Sequence, residues 1–180
     1  MIKIAVPDTE YYDEQTETFE YVKGCTLKLE HSLISISKWE SKWKKPYLSE
    51  VSKSYEEKLD YIRCMTINNV DDSRVYSSIP ISDIERIYKY INDPMTATTF
   101  NEKKKSPRSK QTVTSELIYY WMVYWGIPFE AEKWHINRLI SLIRICNIKG
   151  QRPEKMSNRE IMSQNHSLNK ARRAKFHTRG

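Results

Sequence analysis

Nine consecutive residues, Leu117 to Trp125, are apolar or aromatic, and the run is cut off by Gly126 and Pro128. A helix apolar on every side is either buried centrally or spans a membrane. Spanning needs about twenty such residues, so the run is too short to cross a bilayer. The run holds Tyr119, Tyr120, Trp121, Tyr124 and Trp125, and the surrounding stretch "TSELIYYWMVYWGIPFEAEKWHINRL" adds Phe129 and Trp134. A core helix of a small bundle is the expectation, with a ligand-binding aromatic box or a partner surface as the alternatives. Buried tyrosine hydroxyls need partners, so some of Tyr119, Tyr120 and Tyr124 are expected to reach the surface, where aromatics favour protein contacts.

Around this segment the spacing predicts helices. "HSLISISKWESKW" starts near Ser32 and must end before Pro46, because a residue before proline avoids helical torsions. Ser54 with Glu57, Ser82 with Glu85, and Ser157 with Glu160 have capping-box spacing. Leu59, Ile62 and Met65 share one face of the second helix. Ile84, Ile87, Tyr88 and Ile91 do so in the third. Gly126 suits a helix C-terminus. Beyond it, Ile136, Leu139, Ile140, Ile143 and Cys146 form a stripe. Upstream, "IKIAVP" and "FEYVKGCTLKLEH" read as strands, with "DTEYYDEQTE" as a polar turn region between them and Gly24 at a bend.

These elements predict a mostly helical α+β protein. An N-terminal β-hairpin or small antiparallel sheet precedes a helical bundle and a basic C-terminal helix. A chain of 180 residues suits one domain with an appended arm. The expected domain covers 1–150, β-rich over 1–31 and helical over 32–150, with a basic arm over 151–180. The 12% aromatic content and only four glycines argue against wholesale disorder.

Charge is unevenly spread. Residues 151–180 carry eight Lys/Arg against two Glu, and 101–110 carry five against one, which leaves the rest of this +7 chain at −3. Such an arm suits phosphate, an acidic partner, or mere solvation. Lys103, Lys104, Lys105, Lys170, Arg172, Arg173, Lys175 and Arg179 are the candidate contacts. Basic residues without interleaved aromatics supply salt-dependent, sequence-independent nucleic-acid affinity, but lack the stacking platform of a single-strand binder.

No catalytic, metal or cofactor site is expected. The four histidines are scattered, no phosphate-cradling glycine loop occurs, and the carboxylate pairs Glu56–Glu57 and Asp71–Asp72 are adjacent, so their members do not face each other on a helix. A site assembled from distant residues remains open. Three widely spaced cysteines and a start without a signal-peptide pattern lead to an expectation of reduced, cytoplasmic thiols. Trp39 and Trp43, four apart, should stack on one helical face, as core or as a hot spot. With Tyr120 and Tyr124 they are the candidate protein contacts.

The phrases "LEHSLISISKWESKWKKPYL", "YIRCMTINNV", "MTATTF", "TSELIYYWMVYWGIPFEAEKWHINRLISLIRICNIK" and "SNREIMSQNHSLNKARRAKFHTRG" resemble small proteins encoded in the virion-morphogenesis clusters of tailed bacteriophages, of the tail assembly chaperone-like kind. The resemblance runs from Leu29 onward. It implies a non-enzymatic factor of the host cytoplasm, without a cofactor, that binds the tape-measure protein and delivers it to tail-tube subunits. It supplies no catalytic residues. The same features suit a structural component of the head–tail junction retained in the virion, or a nucleic-acid-binding protein using the basic tail.

Overall fold

A computed structural model describes residues 1–13, 17–49, 52–100, 112–150 and 158–177. Two small antiparallel ladders open the chain. Strand β1 (Ile2–Ala5) pairs with β4 (Thr26–Leu29) in the register Ile2↔Leu29 and Ile4↔Leu27. Because side chains alternate along a strand, this register puts Ile4, Leu27 and Leu29 into the core while Lys3 and Lys28 stay outside. Between them, β2 (Thr9–Asp13) and β3 (Thr18–Val22) form a second ladder.

The expected turn region therefore holds a strand. Its acidic residues suggested a turn, but Tyr12 sits opposite Phe19 with ring centroids 5.1 Å apart, and such cross-strand aromatic pairs stabilise a ribbon. Tyr11, on the other face, bonds its hydroxyl to Ser78. The base of the ribbon closes at Gly24, where a Cβ would meet the Val6 carbonyl oxygen and come within 2.7 Å of the Asp8 nitrogen. Only glycine permits that approach.

Helix α1 (Leu33–Trp43) is capped by Ser32 and ends in left-handed Lys44, ahead of Pro46 as expected. Helix α2 (Tyr55–Met65) has the expected Ser54–Glu57 capping box. After a 3₁₀ turn (Ser73–Ser78) comes α3 (Ile81–Ile91), and here the expected Ser82–Glu85 box is absent. Pro80 takes the N-cap position, its carbonyl accepting from Asp83 and Ile84, so Ser82 already lies inside the first turn. Helix α4 (Ser115–Tyr124) is followed by a second 3₁₀ turn (Phe129–Lys133), then α5 (Ile136–Gly150) and α6 (Asn158–Phe176). The Ser157–Glu160 box lies outside the described residues. The chain divides into two compact units, Met1–Cys146 and Asn147–Gly180.

The first unit buries Leu33, Ile36 and Trp39 of α1 with Ile62 and Met65 of α2, Ile87 of α3, and Ile136, Leu139 and Ile143 of α5. A carboxylate also lies inside it. Glu40, buried on α1, accepts from the backbone N–H of Tyr47 at 2.8 Å and of Ser115 at 2.7 Å. It thereby ties the chain leaving α1 and the first turn of α4 to one side chain. Ser115 N–H is one of the donors a helix start leaves unpaired, and negative charge there also suits the helix dipole.

Hydrogen bonds to a charged group contribute about 1.5–3 kcal/mol each. Glu40→Ala, which strands two donors, should lower stability by about 3 kcal/mol or more in urea titrations. Glu40→Gln, which keeps one acceptor oxygen, should lose less. Equal losses for both would show that the carboxylate does not make this junction.

Candidate functional site: the outer face of the aromatic helix

Helix α4 is not the central, all-round buried helix expected, although Tyr120 and Tyr124 do reach the surface, as expected of some of its tyrosines. Only Ser115, Ile118 and Met122 lie in the core, spaced three and four apart and therefore on one stripe. The opposite stripe is Tyr120, Val123 and Tyr124, exposed by 59%, 64% and 65%, and Phe129 just beyond is 56% exposed. The helix is a wall of the body and not its centre: of its ten residues one stripe enters the core, Tyr119 and Trp121 pack along its edge, and Tyr120, Val123 and Tyr124 stay largely uncovered by the described residues.

Both ends of α4 are fastened. Thr114 caps the start through a bond from Leu117 N–H. At the far end Ile127 N–H donates to Met122 O at 2.8 Å and Gly126 N–H to Val123 O at 3.2 Å, with Gly126 at φ 62°. This is a Schellman ending, which needs a left-handed residue such as glycine, and it turns Ile127 back into the core.

On the outer face the Tyr120 and Tyr124 ring centroids stand 6.2 Å apart, and Trp125 meets Tyr124 edge-on at 5.0 Å. Tyr119 is half-buried and donates its hydroxyl to Glu132 at 2.8 Å. Burial and that carboxylate push its pKa up to about 12. An exposed aromatic cluster of this kind marks a contact surface more often than solitary exposed apolars do.

The tryptophan pair is placed differently. Trp39 and Trp43 do stack, with centroids 6.2 Å apart, but Trp39 is 1% exposed and donates its indole N–H to Glu57 O at 2.9 Å. Half-buried Trp43 donates to Asp60 at 2.8 Å. Both indoles join α1 to α2, and Trp39 has no surface to offer a partner. Of the basic candidates, Lys170, Arg172, Arg173 and Lys175 are all exposed on α6. Lys103, Lys104, Lys105 and Arg179 lie outside the described residues.

Two histidines that sequence spacing left scattered come together. His31 and His135 meet edge-on at 5.0 Å, both buried. His135 Nε2 donates to Tyr90 O at 3.0 Å, and its Nδ1 accepts from Asn137 N–H at 3.3 Å. That pattern assigns a neutral ring. Desolvation lowers the pKa of both, that of His31 to about 3, with His135 adding a smaller repulsion. No local spacing signals a pair separated by this much chain.

Among the described residues no group of three or more His, Cys, Asp and Glu is arranged to hold a metal, and no helix is long and apolar enough to cross a membrane. Burial raises the Cys64 thiol to about 11, with Asp60 adding to it, so it is a poor nucleophile at neutral pH. Comparison with family models, with curated proteins and with solved structures finds no match for the chain.

The histidine pair makes stability pH-dependent. Unfolded imidazoles take up protons below about pH 6.5, while the folded rings resist, so stability is full above that value and declines as pH falls towards 3. For His31 the slope should approach about 1.4 kcal/mol per pH unit, and His135 adds in the same direction. Urea midpoints between pH 7 and 4.5 should drop for the native chain and drop less for His31→Gln. A flat native profile would contradict neutral burial.

Proposed function

We propose that the protein is an assembly factor of tailed bacteriophages, of the tail assembly chaperone-like kind, that binds the tape-measure and tail-tube proteins. The observation that carries this reading is the Tyr120–Val123–Tyr124 stripe. It is a preformed aromatic surface, fastened at both ends and turned away from the core. The sequence resemblance supplies the identity of the partners. In this reading the protein works by docking in the host bacterial cytoplasm, without a cofactor or a chemical step. Exposed tyrosines suit that task, since they bring large contact area at little conformational cost and keep a hydroxyl for water when the partner leaves.

The pair Tyr120→Ser and Tyr124→Ser leaves the buried stripe untouched and should not disturb folding. Hot-spot aromatics commonly cost 2 kcal/mol or more, roughly thirtyfold in affinity. Copurification of tape-measure protein with the double variant should therefore fall by about tenfold or more. Unchanged recovery with an intact circular dichroism spectrum would reject this face as the docking surface.

The exposed basic row of α6 favours a second reading, a virion or connector protein that touches nucleic acid. DNA retention that declines steeply with salt, and is lost when the chain is cut after Gln151, would support it. Mass spectrometry of purified virions separates the two: an assembly chaperone should be missing from the particle, a connector present.

A further inference from the structure

Away from the aromatic face, the first unit holds a cleft of about 450 Å³, within the range of small-molecule sites. Segments distant in sequence build it: Tyr47 beyond α1, Lys58 and Tyr61 on α2, Tyr88 on α3, Asn92 at its end, and Asn137 on α5. His31 also lines it, itself only 2% exposed, its Nδ1 engaged by the Tyr61 hydroxyl. The floor of the cleft, His31, Tyr61 and Ile62, is buried, while Lys58 and Asn92 stand at its exposed rim.

The charge of the cleft is one-sided. Among the described residues Lys53 and Lys58 line it and no carboxylate does. Lysines nearby are matched, Lys42 with Asp60 and Lys45 with Glu57, each at 2.5 Å. Among the described residues neither Lys53 nor Lys58 has a carboxylate at ion-pair distance. Glu57, which attracts Lys53, gives one oxygen to Lys45 and the other to Ser54 N–H. Lys53 Nζ lies instead 4.8 Å from the centre of the Tyr47 ring, and desolvation holds its ammonium below the ordinary lysine range.

Acceptors accompany these cations. Asn92 Nδ2 donates to Tyr88 O at 3.0 Å, and Asn137 Nδ2 donates to Ile91 O at 3.1 Å and Asp93 O at 2.8 Å. Those bonds assign the amide orientation and leave each Oδ1 without a protein donor among the described residues. Tyr47 and Tyr61 stack on each other at 3.8 Å, whereas Tyr88 has no ring partner among the described residues.

We infer that this cleft binds a phosphate monoester of mononucleotide size, whose ring or sugar carries hydroxyl or amine donors. A phosphate monoester brings a charge of about −1.5 to −2 at neutral pH, which matches two unpaired ammonium groups. A simple carboxylate brings half as much. The two amide oxygens take the hydroxyl or amine protons, which inorganic phosphate cannot offer in the same place, and half-buried Tyr88 on the cleft wall takes a ring. The site stands independently of the docking face on α4.

Isothermal titration calorimetry on the full chain tests this with adenosine monophosphate, ribose phosphate, adenosine and inorganic phosphate. Adenosine monophosphate should bind saturably, and adenosine and inorganic phosphate about tenfold more weakly or worse. Ribose phosphate equal to the nucleotide would identify a sugar phosphate as the ligand, and weaker binding a nucleotide. The double variant Lys53→Gln, Lys58→Gln should lose about tenfold or more in affinity. The double variant Lys38→Gln, Lys89→Gln removes equal charge from exposed positions and should stay within about twofold. Absence of saturable binding by either organic phosphate at millimolar concentration overturns the assignment. So does equal weakening by the two double variants, or inorganic phosphate binding as tightly as the organic esters.

Discussion

A buried carboxylate must find donors or abandon its charge, and Glu40 finds two in backbone that no helix or strand satisfies. One is Tyr47 N–H, which holds the chain leaving α1 against the body; the other is Ser115 N–H, which starts α4. The tyrosine cleft has Tyr47 as one wall, and the aromatic face begins one turn beyond Ser115. Both surfaces with a functional reading therefore hang from the same side chain. Losing it would cost more than two hydrogen bonds, because the groups it satisfies lie 68 residues apart and nothing local replaces their registration.

Around Glu40 the packing follows an economy of aromatic rings. Trp39 spends its ring on the core and its N–H on Glu57 O, while Trp43 spends its N–H on Asp60. Tyr61 is consumed between Tyr47 and His31, and Tyr76 bonds Thr66. Among the described residues, the rings of Tyr120 and Tyr124 on α4 have neither core nor polar anchor to explain them, which is why the functional weight falls there. Charge is partitioned similarly. The body matches some of its cations with acids, as in Arg86–Asp83 and Arg74 with Asp72 and Glu20, whereas α6 carries its lysines and arginines outward.

Local grammar was readable from the chain. Ser54 and Glu57 cap α2, Pro46 limits α1, and Gly126 turns the end of α4, since each depends on neighbours within a few residues. Features set by distant partners were not. The strand in Thr9–Asp13 exists because Phe19 faces Tyr12, and the tight passage at Gly24 depends on Val6 and Asp8. The meeting of His31 with His135 and the gathering of Lys53, Asn92 and Asn137 are products of tertiary packing. The aromatic run misled for another reason: composition states how apolar a helix is, not how many neighbours exist to cover it. Among the described residues, the neighbours of α4 cover one side of it.

The double fastening of α4 has a thermodynamic corollary. An isolated helix of this length would fray in water, and a partner would then have to order the backbone before gaining any contact. Thr114 at one end and the Gly126 turn at the other have already met that entropic demand during folding. A visiting chain meets aromatic side chains on a preformed rail, so a small footprint can yield measurable affinity, and release need not melt anything.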